Sequence, residues 1–332
     1  MRFGPVPIDQ AEGAILAHSE ALAGRKLKKG RVLTAADLAA FRDAGATQLT
    51  VARLDPGDVP EDAAATRLAA ALVPDAEAAG LTLSPAFTGR VNIKAARPGL
   101  VALDPGAIRA LNLIDPALTL ATLAPLTRVP PGALVGTVKI ISYAIGEDTL
   151  SRAEQAARAA LSLHPVTRRT AGLLLSELPD QPAKISAKAR RVTDQRLQAL
   201  GVELIETRAT AHEAGAMAEA LAEMRAEMLL ILTASATSDA HDTGPDALAR
   251  AGGTLTRFGM PVDPGNLLFL GRLGTRPVIG LPGCARSPAL NGADWVLERI
   301  ACGLDPTSDD IAAMGVGGLL KEIPQRPQPR EG

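Results

Sequence analysis

From residue 171 to residue 301 the chain alternates short apolar runs with amphipathic stretches, and this rhythm constrains the fold most. Apolar runs at 171–176, 202–207, 228–233, 255–258, 267–270 and 277–279 read as strands. Helical patterns at 185–200, 211–225, 246–251 and 287–301 separate them. Met228, Leu229, Leu230, Ile231 and Leu232 form an uninterrupted apolar run, as in a strand buried on both faces at the centre of a parallel sheet. The pattern predicts a three-layer α/β domain over 166–320 with a mostly parallel sheet and ligands at the strands' carboxyl ends.

Residues 1–165 read differently. Strand signals at 48–54, Gly99–Leu103 and 134–141 are broken by Gly and Pro. Helices are predicted at 34–44, where Thr34 suits the N-cap, and at 61–72 with a continuation toward Ala79. An alanine-rich helix is expected over 150–163. This half reads as a smaller, strand-rich α+β region, and 321–332 as a disordered proline-rich tail.

Several polar loops fall on the domain's predicted ligand edge. One carries Thr233, Ser235, Thr237, Asp239, His241 and Asp242; Asp194 is placed in or just after the loop that follows the first strand. The segment 260–266 contains Pro261, Pro264 and Gly265 and is expected to form a rigid wall. The last, 280–288, combines Gly280, Pro282, Gly283, Arg286, Ser287 and Pro288. There Ser287 suits an N-cap and Pro288 a first helical position, so free helix N–H groups beside Arg286 would attract an anion. The competing reading of Asp242 is a helix cap before Thr243, Gly244 and Pro245.

Other function classes are disfavoured. Lys plus Arg (35) balance Asp plus Glu (36), which argues against nucleic-acid or membrane-surface binding by bulk charge. One Trp and one Tyr supply no base-stacking platform. Cys284 and Cys302 have no metal-ligand spacing, and His18, His164 and His212 are too scattered to read as ligands. No run approaches membrane-spanning length, so a cytoplasmic protein is expected. A dinucleotide fingerprint is absent after Leu175.

In order, these motifs resemble the molybdopterin-binding domain of molybdenum-cofactor biosynthesis proteins. The stretch from Leu232 to Asp246 resembles that family's strand, glycine-rich turn and Asp-x-x-Pro element. The segment 260–266 resembles its Lys-Pro-Gly-Lys-Pro loop, and Gly280-Leu281-Pro282-Gly283 with Ser287 resembles its Gly-Leu-Pro-Gly-Asn-Pro-x-Ser turn. Residues 6–18 and 29–46 are similar to segments of the molybdopterin molybdenumtransferases. The resemblance implies molybdopterin as ligand, bound through Thr233, Ser235, Thr237, Asp194, Pro264, Gly265, Gly280, Pro282, Gly283, Arg286 and Ser287. It implies Asp242 and Asp239 as catalytic carboxylates, and Asp242 as a ligand for Mg²⁺, which needs few protein oxygens. The implied reaction is insertion of molybdate into adenylated molybdopterin; the alternative is a carrier delivering to a nucleotidyltransferase or apo-enzyme. A homo-oligomer is implied as well. The departures lie where the family's glycine turn has become Ala234-Ser235-Ala236-Thr237, where Asp263 and Asn266 flank Pro264-Gly265, and where Cys284-Ala285 replaces an Asn-Pro pair. Ala and Ser oppose the positive φ and close phosphate approach that glycines permit.

Overall fold

The computed structural model describes residues 1–22 and 25–320; the expected proline-rich tail at 321–332 lies outside them. The chain is a mixed α/β protein of two compact units, one built from 1–97 and 101–163, the other from 98–100 and 164 onward.

Most strand pairings in the first unit are antiparallel. Arg2–Pro7 and Ile15–Leu16 both pair with Gln48–Arg53, and the helix Ala35–Asp43 contributes Leu38 and Phe41 to the same small core. A second core forms around Leu118–Thr122, Leu134–Ile140, Arg90–Ala95 and Leu81–Leu83, hydrogen-bonded in that order. The helix Glu61–Leu72 packs Leu68 and Leu72 into it. Its expected continuation is a separate turn, Ala76–Ala79, capped by Asp75 and ended by Gly80 at φ 70°. The helix expected over 150–163 spans Glu147–Ala156, and Leu161–Pro165 is a strand. Ala159 adopts φ 56°, which ends helical continuation, and the alternate residues Leu161 and Leu163 are buried as a strand requires.

Thr34 caps its helix as expected, in a capping box with Asp37. Asp37 is almost fully buried, and the Arg31 guanidinium beside it, with the Thr34 donors, lowers its pKa to about 2. A depressed carboxylate contributes stability that is full above its unfolded pKa, about 3.9, and is lost as pH falls through the folded value. Resistance of the first unit to denaturant should therefore fall as pH drops from ~4 to ~2. In Asp37→Asn that increment should vanish, with a loss at neutral pH of about 1–2 kcal/mol, because Arg31 is half exposed.

In the second unit the strands are β1 (Thr170–Glu177), β2 (Glu203–Ala211), β3 (Met228–Leu232), β4 (Thr254–Phe258), β5 (Phe269–Leu273) and β6 (Arg276–Gly280). The helices are α1 (Ala183–Gln198), α2 (Ala214–Glu223), α3 (Thr243–Arg250), α4 (Gly292–Ala301) and α5 (Ser308–Ala313). One six-stranded sheet runs β2-β1-β3-β6-β5-β4. The first four strands are parallel; β5 and β4 are antiparallel additions. All five residues of β3 are buried. Leu174, Leu229, Ile231, Val278 and Phe269 pack against Met217 and Leu221 of α2 and Ala247 and Leu248 of α3. The alternate residues Leu173, Leu175, Leu230 and Ile279 are buried too, so β1, β3 and β6 have little exposed face.

Helix α4 starts at Gly292, five residues after the expected cap. Ser287 is extended (φ −95°, ψ 145°), the conformation that a following proline favours. Asn291 and Asp294 form the capping box instead, and Gly283–Arg286 makes a short 3₁₀ turn.

Candidate functional site

The parallel strands bring their carboxyl ends to one edge. Sheet order reverses between β1 and β3, since β2 lies on one side of β1 and β3 on the other. That crevice is where open α/β sheets hold ligands. Ser176, at the end of β1 and only 2 % exposed, closes it. The Ala234 N–H donates to its Oγ (2.9 Å), and the same oxygen is 2.8 Å from His212 Nδ1 at the end of β2. The Ala234 N–H, a peptide donor of the turn after β3, is thus already bonded within the protein.

The turn after β3 is internally held. Thr233 Oγ1 donates to the Ser235 carbonyl (2.7 Å) and lies 3.4 Å from Thr237 Oγ1; both threonines are buried. Asp242 N-caps α3: Oδ1 accepts from the Thr243 N–H (2.7 Å) and Oδ2 from the Ser238 N–H (2.8 Å). Those donors, the Ser238 N–H foremost, hold its pKa below the usual carboxylate range, with a smaller contribution from the charge of His212. Asp239 accepts from the His241 N–H (2.8 Å) in a local turn.

Arg286 reaches this turn from the 3₁₀ segment after β6. Its Nη2 donates to the Thr233 carbonyl (2.7 Å), while its Nε is buried without an acceptor. Among the described residues no carboxylate pairs with it. Burial alone pulls its pKa below the usual arginine value, and the guanidinium stays charged at neutral pH. A half-buried cation with an unused donor is electrostatically incomplete.

Thr233, Ser235, Thr237, Asp242 and Arg286 therefore share one turn system. Asp194 does not join it: it lies eleven residues into α1, about 16 Å along the axis from the helix start, and accepts from Gln198 Nε2 (3.0 Å). Pro264 and Gly265 abut α4 instead. The Gly292 N–H donates to the Pro264 carbonyl (2.8 Å), and a Cβ on Gly265 would meet Gly292 N at 2.7 Å. With the Ala293 N–H bonded to Asn291, the leading N–H groups of α4 are occupied, so this terminus is not the anion site expected beside Ser287. Gly280 is a packing glycine within β6, since an added Cβ would fall 2.0 Å from the Phe269 ring. Pro282 is buried and Gly283 exposed beside Arg286 Nη1.

The described residues contain no group of three or more His, Cys, Asp or Glu that could hold a metal ion. Each Asp242 oxygen already receives a peptide N–H, so this donor set fits a helix cap and supplies no cage for Mg²⁺. The orphaned Arg286 Nε fits an anion.

Sequence reasoning did not find Ser176 in this role, nor His212. Their signal was positional: each lies within one residue of the carboxyl end of a parallel strand. The expected end of β2 at residue 207 hid His212, because the strand continues through Arg208, Ala209 and Thr210 to Ala211.

Residues 5–53 match a family model described as a domain of unknown function (DUF8806). No curated protein matches the chain. Among solved structures, the chain is similar to a molybdopterin biosynthesis MoeA protein from Pyrococcus horikosii, at 12 % identity and a TM-score of 0.32 over 92 % of this chain and 76 % of that one. No described helix is long and apolar enough to cross a membrane.

Proposed function

We propose that the second unit is a molybdopterin-binding domain of molybdenum-cofactor biosynthesis, a three-layer α/β module that holds a phosphorylated pterin at its carboxyl edge. The observation that carries this reading is Arg286: a half-buried guanidinium without a carboxylate partner among the described residues and with a buried, unused Nε–H, hydrogen-bonded from the segment after β6 to the turn that follows β3. A phosphate would complete it with charge-assisted hydrogen bonds. The ordered sequence motifs supply the pterin part of the assignment.

Two activities follow from binding there. Molybdenum insertion calls for Asp242 to work on a metal or molybdate. The carrier reading asks only for retention and release, and the capping geometry of Asp242 favours it. Delivery would then go to a separate nucleotidyltransferase or apo-enzyme. Calorimetric titration with molybdopterin and adenylated molybdopterin, with and without Mg²⁺ and molybdate, tests both. Binding without turnover, lost in Arg286→Ala, supports the carrier. AMP release dependent on molybdate establishes the transferase. Binding of neither ligand overturns the proposal.

A further inference from the structure

Arg286 sits on a short segment between β6 and α4 that makes local hydrogen bonds such as Ala285 N–H to the Pro282 carbonyl, Ser287 N–H to the Cys284 carbonyl, Ala289 N–H to Ser287 Oγ and Asn291 Nδ2 to the Ala289 carbonyl. The segment is also braced from outside by a side chain of α1. Arg196, near the end of α1 and 12 % exposed, donates from Nε to Asp294 Oδ1 (2.6 Å) and from Nη1 to the Ala285 carbonyl (2.7 Å). Its Nη2 donates to the carbonyls of Ser287 (2.5 Å) and Ala289 (3.1 Å). Asp294 in turn accepts from the Asn291 N–H through its other oxygen (2.8 Å), in the cap of α4. One guanidinium therefore ties the residue before Arg286, the residue after it, and the next helix to α1.

We infer that Arg196 is the positioning residue of the anion site: it sets the backbone on both sides of Arg286, so that the Arg286 guanidinium is held in place before ligand arrives. This rests on the reading of Arg286 as an anion-binding residue. The chemistry is specific to arginine. Its planar fork sends separate N–H groups to a carboxylate and three carbonyls, whereas a lysine ammonium can keep the Asp294 ion pair but cannot span the carbonyls. Preorganisation matters because a flexible segment would have to be ordered at the expense of binding. The sequence gives no warning of this, since Arg196 and Ser287 are 91 residues apart.

The test is a double-mutant cycle on the full chain, with inorganic phosphate as the probe and ³¹P NMR titration as the readout. Arg196→Lys should weaken phosphate binding about tenfold. In the Arg286→Ala background, where binding is already weak, Arg196→Lys should cause no further loss; a merely structural role would add its own loss there. Asp294→Asn frees one of the four Arg196 contacts and should give a smaller loss, which serves if Arg196→Lys does not fold. No saturable phosphate binding by the wild type, or unchanged binding in Arg286→Ala, overturns the anion-site reading and this inference with it. Weak binding in Arg286→Ala, combined with wild-type affinity in Arg196→Lys or an additive loss in the double variant, overturns the positioning role alone.

Discussion

Replacing Arg286 by methionine should remove phosphate-ligand affinity by about a hundredfold or more while leaving the stability of the unliganded protein within about 1 kcal/mol of wild type. The two halves of this expectation come from opposite sides of one balance. Arg286→Met loses a charged hydrogen bond to the Thr233 carbonyl, a destabilising change. It also removes a half-buried charge that has no carboxylate partner, and a buried Nε–H that has no acceptor, among the described residues, a stabilising change. Methionine keeps the bulk of the aliphatic stem. A structural arginine behaves otherwise: Arg196, with four acceptors, should cost about 3 kcal/mol or more when truncated. Paired ligand titrations and urea melts of Arg286→Met decide the matter. Retained affinity with a loss near 3 kcal/mol would make Arg286 another internal brace.

The contrast between these two arginines shows how far the sequence could be read. The alternation of apolar runs placed β1, β3 and β6 and the helices between the early strands, because burial on both faces leaves a local signature that needs no partner to be seen. The helix at Thr34 was legible for the same reason, its cap being contained within four residues. The position of Arg286 past the carboxyl end of β6 was legible because it lies in the turn after an apolar run. Local signals competed at Ser287, where a serine before a proline fits both an N-cap and an extended residue. The decision fell to Asn291 with Asp294, whose capping box is stronger than a lone serine. Asp242 carried both readings from the start, and its two N–H donors support the cap. Arg196, Ser176 and His212 were invisible because what they do depends on elements tens of residues away, brought together only by the sheet order.

Gly280 is the sharpest case of a residue whose type suggests one role and whose surroundings assign another. A glycine at the end of a central parallel strand, followed by Leu-Pro-Gly, reads as a place where backbone approaches a ligand. In the folded chain it is the seat of the Phe269 ring: Phe269 is 1 % exposed, and an added Cβ would lie 2.0 Å from its Cδ1 and Cε1. The two residues are directly opposed across the β5–β6 ladder, so neither can move aside without disturbing the pairing. Gly280→Ala should therefore destabilise the second unit by about 3 kcal/mol, the upper part of the range for overpacked cores. Phe269→Leu alone should also destabilise, since it leaves unfilled space against Leu248 and Val278. Combined, the two changes should cost less than their sum, because the alanine methyl enters room that the ring has vacated. The decisive measurement is phosphate affinity of the folded double variant. Wild-type affinity there makes Gly280 a core residue. A binding defect that survives the repair of stability would return Gly280 to the ligand site, and would show that the backbone at the end of β6 meets the anion together with Arg286.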